Sequence, residues 1–361
     1  MKLSILYAYR NRDEQRIKNS LQSLALQTAI NFEVVFVDYG SEEVFAEKVQ
    51  KVVESFSFAS YHYIAHPGLL WNKSKALNYG ASKAVGDYVF VSDVDICFDV
   101  NAVQTILDST DVNKFSLFKL SYLKEEVNQE QIQLGNFKNE HIKHHGLVNG
   151  MIAVSKEAFF QVEGYDEFYH FYGSEDVDFY QRLQHLGLIE QKNQDTKFFH
   201  QWHSIYNSIN DSVLEVTPRF FNVKKINQQH YFHQQSIKAI KPILKQKINN
   251  TVWKKEDKLS PKEATLSYHI PNDHAKVWHL LNIILPSCNN EIVHITIKED
   301  AYFTSTKFKI KKKLKKSDRV PMSMKEVNDV ILEKILLVYR HHNYTYEIAS
   351  DLKTITFLIQ L

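Results

Sequence analysis

The sequence predicts an α/β protein with a mainly parallel central sheet and a smaller C-terminal α/β domain. Three observations predict it. Apolar strand-like runs alternate with helix-like patterns through roughly the first 95 residues. The run "FEVVFVD" at 32–38 is apolar throughout rather than alternating, as in a strand buried on both faces of a parallel sheet. Polar residues gather directly after these runs, at the carboxyl ends of the strands, where such sheets bind ligands.

Taken in order, "LSILYAY" at 3–9 reads as the first strand, and 14–28 as a helix with Ile17, Leu21, Leu24 and Thr28 on one buried face. The strand at 32–38 ends in the turn residues "DYGS", a helix follows at 42–55, and "YHYIAH" at 61–66 is a short strand. A helix at 72–85 leads through Gly86 and Asp87 into a strand at 88–92. The 108–145 region reads as polar and irregular, a mobile loop or a helical excursion. "GLVNGMIAVSKEAFFQVEGYDE" at 146–167 reads as strand, short helix and turn; a helix runs from Glu175 to Leu186; "DTKFFHQWH" at 195–203 is a strand ending in potential ligands. The chain from 205 to 250 reads as helical and polar. From 264 the segments "TLSYHI", "HITI", "FKIKKKL", "ILLVYR" and "TITFLIQL" read as short strands. These divisions give domains at 1–245 and 264–361 joined by a linker at 246–263.

The 361 residues suit two domains, or one large domain with an appendage. With 44% hydrophobic and 24% charged residues the chain is globular. A net charge of +2, from 44 basic and 42 acidic residues, supplies no electrostatic footprint for nucleic acid, and no such partner is expected. Cys97 and Cys288 read as reduced thiols of a cytosolic protein. The apolar run after Lys2 is shorter than a signal-peptide core, and no stretch approaches the ~18 apolar residues of a membrane span. A cytoplasmic protein is expected. The lysine run 309–319 reads as an exposed strand and loop, with contact to acidic lipid headgroups at the inner face of the membrane as its second reading.

The candidate chemistry sits at the strand ends. Asp93 and Asp95 follow the strand at 88–92 with one valine between them. Aspartates there serve as turn or cap residues, or as oxygen ligands of Mg²⁺ or Mn²⁺ that bridges a diphosphate. His200 and His203, three residues apart at the end of "FFHQWH", add imidazoles, and imidazole with carboxylate favours Mn²⁺ over Mg²⁺. In "YGSEDVDFYQRL", Ser174 fits a helix cap and Glu175, Asp176 and Asp178 suit the helix dipole; a carboxylate held at such a start can also act as a general base. Arg10 and Arg12, after the first strand, belong to a solvated loop or to phosphate recognition.

In this order, "YAYRNR", "VDYGS", "WNKSKALNYGA", "GDYVFVSDVDICF", "GMIAVSKEAFFQVEGYDE" and "YGSEDVDFYQRL" resemble the GT-A glycosyltransferases, whose fold is Rossmann-like, and within them the inverting family 2 enzymes of bacteria. The set is also similar to the β-1,4-galactosyltransferases and to the transferase domains of capsule polymerases, over residues 1–205. The resemblance implies a nucleotide-sugar donor, most often a UDP-sugar, a divalent metal, usually Mn²⁺, and a saccharide or glycolipid acceptor in surface polysaccharide synthesis. It places Tyr9, Arg10 and Arg12 along the nucleotide, Asp38 on uracil or ribose, and Asn72, Lys73 and Lys75 beside the diphosphate. It puts Asp93 against the nucleotide sugar or ribose, Asp95 on the metal, and His203 or His200 as a further metal ligand. Gly150 and Met151 floor the sugar pocket, and Glu175–Asp176 match a pair in which the aspartate is the base. Tyr172 stands where relatives carry an aromatic residue, often Trp, on a closing loop.

The pattern suits single displacement with inversion; a double displacement needs a nucleophile on the donor side, which it does not identify. Two other readings are a catalytically dead sugar-binding module on the same fold and a nucleotidyltransferase. Intact Asp93, Asp95, Asp176 and His203 oppose the first, and the lack of a Gly-rich loop in "YAYRNRDEQ" opposes the second.

Overall fold

A computed structural model describes residues 2–361 except 136, 148–149, 205–206, 245 and 247–251. The chain divides into two compact units. The first comprises Met1–Ala65, Trp71–Tyr206 and Lys224–Val252. The second comprises His66–Leu70, Asn207–Val223 and Trp253–Leu361.

The first unit opens with β1 (Leu3–Tyr9), α1 (Glu14–Ala25), β2 (Phe32–Tyr39), α2 (Glu43–Glu54), β3 (Ala59–Ile64), α3 (Lys73–Lys83) and β4 (Tyr88–Ser92). It continues through β5 (Ile96–Phe98), α4 (Ala102–Asp108), β6 (Lys114–Leu123), α5 (Gln129–Leu134), β7 (Ile142–Gly146) and β8 (Ile152–Ser155). It ends with α6 (Lys156–Gln161), α7 (Glu175–Leu186), β9 (Ile189–His200) and α8 (Val223–Ser236). Caps set several helix starts: Asp13 accepts the Gln15 N–H at 2.8 Å for α1, and Asn72 accepts the Lys75 N–H at 2.8 Å for α3. The alternation expected over β1 to β4 is present, although α1 stops at Ala25 and leaves Thr28 exposed beyond it.

The strands lie in the order β3-β2-β1-β4-β8-β6-β9-β5, with β7 beside β6. β1 to β4 pair parallel. β8 then enters antiparallel to β4, and β6 antiparallel to β8. β6 runs parallel to β9, and β5 closes the edge antiparallel to β9. A set of phenylalanines binds the β4, β5, β6 and β9 strands: the Phe90 ring lies 5.4 Å from Phe118 and 5.7 Å from Phe198, and Phe98 lies 5.6 Å from Phe198. All four are buried. Between β6 and β9 the register breaks, with Phe118 opposite Asn193 but Leu120 opposite Phe198.

The region expected to be irregular at 108–145 therefore contains a ten-residue core strand, β6. Its Phe115, Leu117, Phe118 and Leu120 are buried. The polar stretch after it hides this run in the sequence. Part of the segment read as strand before Ile152, residues 148–149, lies outside the described residues, as does most of the end of the stretch read as helical at 205–250; within that stretch the α-helix is α8.

The second unit contains β10 (Leu266–Pro271), α9 (His274–His279), α10 (Leu285–Ser287), β11 (Ile292–Lys298), α11 (Thr306–Lys313), α12 (Met324–Lys334), β12 (Tyr344–Ile348) and β13 (Thr354–Gln360). Its sheet order is β10-β11-β13-β12, with only β10 and β11 parallel. Two expected strands are helical. "FKIKKKL" forms α11, started by Ser305, which accepts the Phe308 N–H at 3.1 Å; its apparent alternation is a short accident of a lysine-rich helix. "ILLVYR" continues α12 as a π-type turn over Ile335–Tyr339, burying Ile335, Leu336 and Tyr339 while Leu337 and Val338 face out. A short apolar run does not by itself separate strand from helix. Among the described residues no helix is long and apolar enough to cross a membrane.

A close approach in the first unit gives a stability test. Gly164 has φ +63°, and a Cβ there would lie 2.3 Å from Asn78 Oδ1, which accepts the Tyr165 N–H at 2.8 Å. Gly164→Ala is expected to lower the unfolding free energy by about 1–3 kcal/mol, seen as a fall in Tm, whereas Gly135→Ala, also at positive φ but with open space around it, costs less.

Candidate active site

The strand register assembles the first half of the site. Ile96 on β5 pairs with His200 on β9, so Asp95, one residue earlier, arrives beside the imidazole. On the other side of β9, Tyr122 pairs with His200, and their rings lie 5.1 Å apart. His200 Nε2 is 3.6 Å from Asp95 Oδ1, and His203 Nε2 is 3.3 Å from Asp95 Oδ2. The three ligand atoms lie within 4.8 Å of one another.

These groups fit a divalent ion. Asp95 Oδ1 is buried and has no hydrogen-bond partner, a state that costs free energy unless another group supplies positive charge. Burial pushes the Asp95 carboxyl up, but the His203 hydrogen bond and the charges of His200, His203 and Arg12 leave it below its ordinary value. The same bond raises His203, against the effect of its burial. His203 Nδ1 sits 2.8 Å from the Ser204 carbonyl, which suits a donor there and leaves Nε2 turned to the carboxylate. One carboxylate with two imidazoles suits Mn²⁺ or a similar transition ion better than Mg²⁺.

The second half centres on Lys73, in the first turn of α3. Its ammonium is 2.7 Å from Asp93 Oδ1 and 3.9 Å from Glu175 Oε1. Burial opposes its charge, yet Asp93 and Glu175 hold its pKa above the ordinary value. A Cβ on Gly150, at φ +83°, would lie 3.7 Å from the same nitrogen. Glu175 is pushed up by burial and by Asp176, against the pull of Lys73. Asp176 is pushed up by burial, against the Val177 N–H that its Oδ1 accepts at 2.8 Å. The result is a half-buried carboxylate of enhanced basicity at a helix start.

Ser174 does not cap that helix through its side chain. It sits at φ 72°, and no hydroxyl hydrogen bond caps α7. Phe171, at φ 63°, and Gly173, at φ 99°, are also left-handed. The loop is held from behind by buried Asn227, whose amide donates to the carbonyls of His170 at 3.2 Å and Tyr172 at 3.1 Å. Tyr172 is exposed, with the Lys224 ammonium 5.9 Å from its ring centroid.

Other residues singled out in the sequence serve the frame. Tyr9 is buried in the core and donates its hydroxyl to the Arg12 carbonyl at 2.8 Å, pinning the turn that carries Arg10 and Arg12. Asp38, opposite Tyr9 in the sheet, is fully buried; it accepts the Ser41 N–H at 3.0 Å and the Tyr61 hydroxyl at 2.8 Å. Burial pushes its pKa up, with these bonds and the charge of Arg10 opposing. Asn72 spends its amide on the α3 cap and on the Glu167 carbonyl at 2.8 Å. Burial lowers Lys75, against the charge of Glu167. Met151 is a buried core residue. Two groups were not singled out in the sequence: Tyr122, hidden in the strand read as irregular, and the cleft that Trp202 lines with Asp13, Arg16, Lys124 and Gln129.

The model of glycosyl transferase family 2 matches residues 4–168, and that of the N-terminal domain of galactosyltransferase matches 135–204. Residues 4–168 are thus similar to family 2 glycosyltransferases. The two matched regions include Asp93, Asp95, Glu175, Asp176, His200 and His203. Among solved structures the chain is similar to S. aureus TarS, at 13% identity over 66% of this chain and 43% of that one, with TM-score 0.42. It is similar to the mannosyltransferase PcManGT from Pyrobaculum calidifontis, solved with GDP-Man and Mn²⁺, at 16% identity over 66% and 64%, with TM-score 0.42. It is also similar to GalNAc-T7, solved with UDP, GalNAc and Mn²⁺, at 14% identity over 65% and 51%, with TM-score 0.46. The chain thus spans between 43% and 64% of the length of these structures. Among curated proteins no sequence matches.

Direct titration checks the metal centre. Wild-type protein should bind Mn²⁺ in calorimetry, with affinity falling as pH drops through the raised His203 pKa, because a protonated imidazole is no ligand. Asp95→Ala should weaken binding by more than the roughly 10- to 100-fold typical of an outer-shell loss.

Proposed function

We propose that the chain is a metal-dependent inverting glycosyltransferase that moves a sugar from a nucleotide donor, a UDP-sugar, to a saccharide or glycolipid acceptor in surface polysaccharide or capsule synthesis. The observation that carries this reading is one assembly in two halves: a carboxylate–imidazole set, Asp95 with His200 and His203, and, two residues from Asp95, an ion-paired set in which Lys73 joins Asp93 to Glu175.

Asp95, His200 and His203 would hold the metal, which when bound supplies a Lewis acid for the diphosphate. Arg10 and Arg12 present guanidinium groups on the turn held by Tyr9 and Asp38, and take the nucleoside diphosphate side with Asn72, Lys73 and Lys75. Lys73 offsets charge growing on the leaving diphosphate and keeps Asp93 oriented toward the donor sugar. Gly150, with its left-handed φ of +83°, turns the backbone beside Lys73, and with buried Met151 floors the sugar pocket. Tyr172, the exposed aromatic of a pinned loop, covers the sugar. Asp176 takes the acceptor proton as the acceptor oxygen attacks the anomeric carbon from the face opposite the leaving group, and burial raises its basicity, with Glu175 beside it. In this reading the transferase domain occupies 1–245, a linker 246–263 and a separate domain 264–361, and the protein works in the cytoplasm at the inner face of the membrane.

The decisive assay is UDP release from a panel of UDP-sugars with Mn²⁺, with and without acceptor saccharides. Activity should require metal and vanish in Asp95→Ala; full activity in that variant sinks the metal assignment. Asp176→Asn should lower kcat by ~10²–10⁴ while leaving Mn²⁺ binding intact. Because the Asp176 pKa is raised and its basic form is the active one, kcat should fall on acidification with a midpoint above the ordinary aspartate range.

A further inference from the structure

We propose that α11 of the second unit is a docking surface for an anionic lipid bilayer. The reading is independent of the chemistry assigned to the first unit. Seven lysines fall between 307 and 316, and no acid occurs from Ala301 to Ser317. All seven are exposed, and none forms an ion pair among the described residues.

The helix is fixed to its unit on one side only. Phe308 is its buried residue, with its ring 5.1 Å from Phe303 and 5.4 Å from Tyr302. The Arg319 guanidinium stacks 4.5 Å from Phe303 and pairs with Asp273 at 2.9 Å and Asp300 at 3.4 Å. Two acids that border the helix are thereby consumed by an arginine, and the lysines keep their charge.

The outward face is amphipathic in an unusual sense. Ile310 and Leu314 follow Phe308 by two and six residues, which places them about 200° and 240° further round the helix. They are 54% and 56% exposed, neighbours at i and i+4, and flanked by Lys307, Lys311 and Lys313. A surface with two aliphatic side chains inside a ring of lysines matches the boundary between anionic headgroups and acyl chains. The lysine stems reach along the apolar layer while their ammonium groups stay at the phosphates. A nucleic acid is a poorer fit, since the helix offers no arginine fork and no exposed aromatic ring for a base.

The test is cosedimentation of the full chain with vesicles of phosphatidylcholine alone and of phosphatidylcholine with phosphatidylserine. Binding should require the anionic lipid and weaken with salt. Replacing Lys311, Lys312 and Lys313 by Gln should lower partitioning on the order of a hundredfold. Ile310→Ser with Leu314→Ser, both at exposed positions, should reduce vesicle binding several-fold with every lysine in place. Tm measurements confirm that the variants fold. Equal binding to neutral vesicles, or full binding by the lysine variant, overturns the proposal. An aliphatic variant that binds vesicles as wild type does, together with retention of wild type on RNA, overturns it in favour of a general polyanion site.

Discussion

The pairing of β5 with β9 is the constraint on which the first unit's chemistry depends. β5 is only three residues long and sits at the sheet edge, so its ladder alone is weak. What fixes it is the apolar contact beneath: Phe98 of β5 and Phe198 of β9 pack with Phe90 and Phe118 in a water-free cluster. Burial of aromatic rings is worth far more than the few backbone hydrogen bonds of a short edge. The candidate metal ligands are therefore placed by hydrophobic packing, and the polar cluster rests on it.

Charge then links the two halves. Asp93, Glu175 and Asp176 would repel one another in a partly dry cleft, and Lys73 is the cation set among them. With the ammonium in place the acids can stay close enough to act on one substrate. Burial still keeps Asp176 basic, against the Val177 N–H and the charge of Lys73.

Much of this was legible in the sequence, and unevenly so. The parallel core was readable because β1, β2 and β4 are continuous apolar runs with turns between them. Asp93, Asp95 and the histidines stood out as ligand-type residues at strand ends, and Glu175 and Asp176 as an acidic helix start; their roles came from the resemblance. The meeting of Asp95 with His200 was implied only by the resemblance, since it depends on an antiparallel pairing across more than a hundred residues. Tyr122 was missed because the polar stretch after β6 disguised the strand. In the second unit, "FKIKKKL" and "ILLVYR" are short enough to satisfy both periods, and a Ser cap and a preceding helix decided between them.

The broken register between β6 and β9 separates β9 into two segments. The first, up to Asn193, is aligned by β6; the second, from Phe198, carries the phenylalanine and, two residues on, His200. Residues 194–197 lie between, outside the matched ladder. Side chains alternate in a strand, so Phe198 and His200 share a face as long as the second segment stays intact. Lys197 is already tied to the end of β5, its carbonyl accepting the Asp99 N–H at 2.8 Å, so a change of length that leaves this face unturned falls within 194–196. One residue gained or lost between 198 and 200 would reverse it, trading the imidazole for a neighbour. The length of β9 is thus held more tightly from Lys197 onward than in the stretch before it.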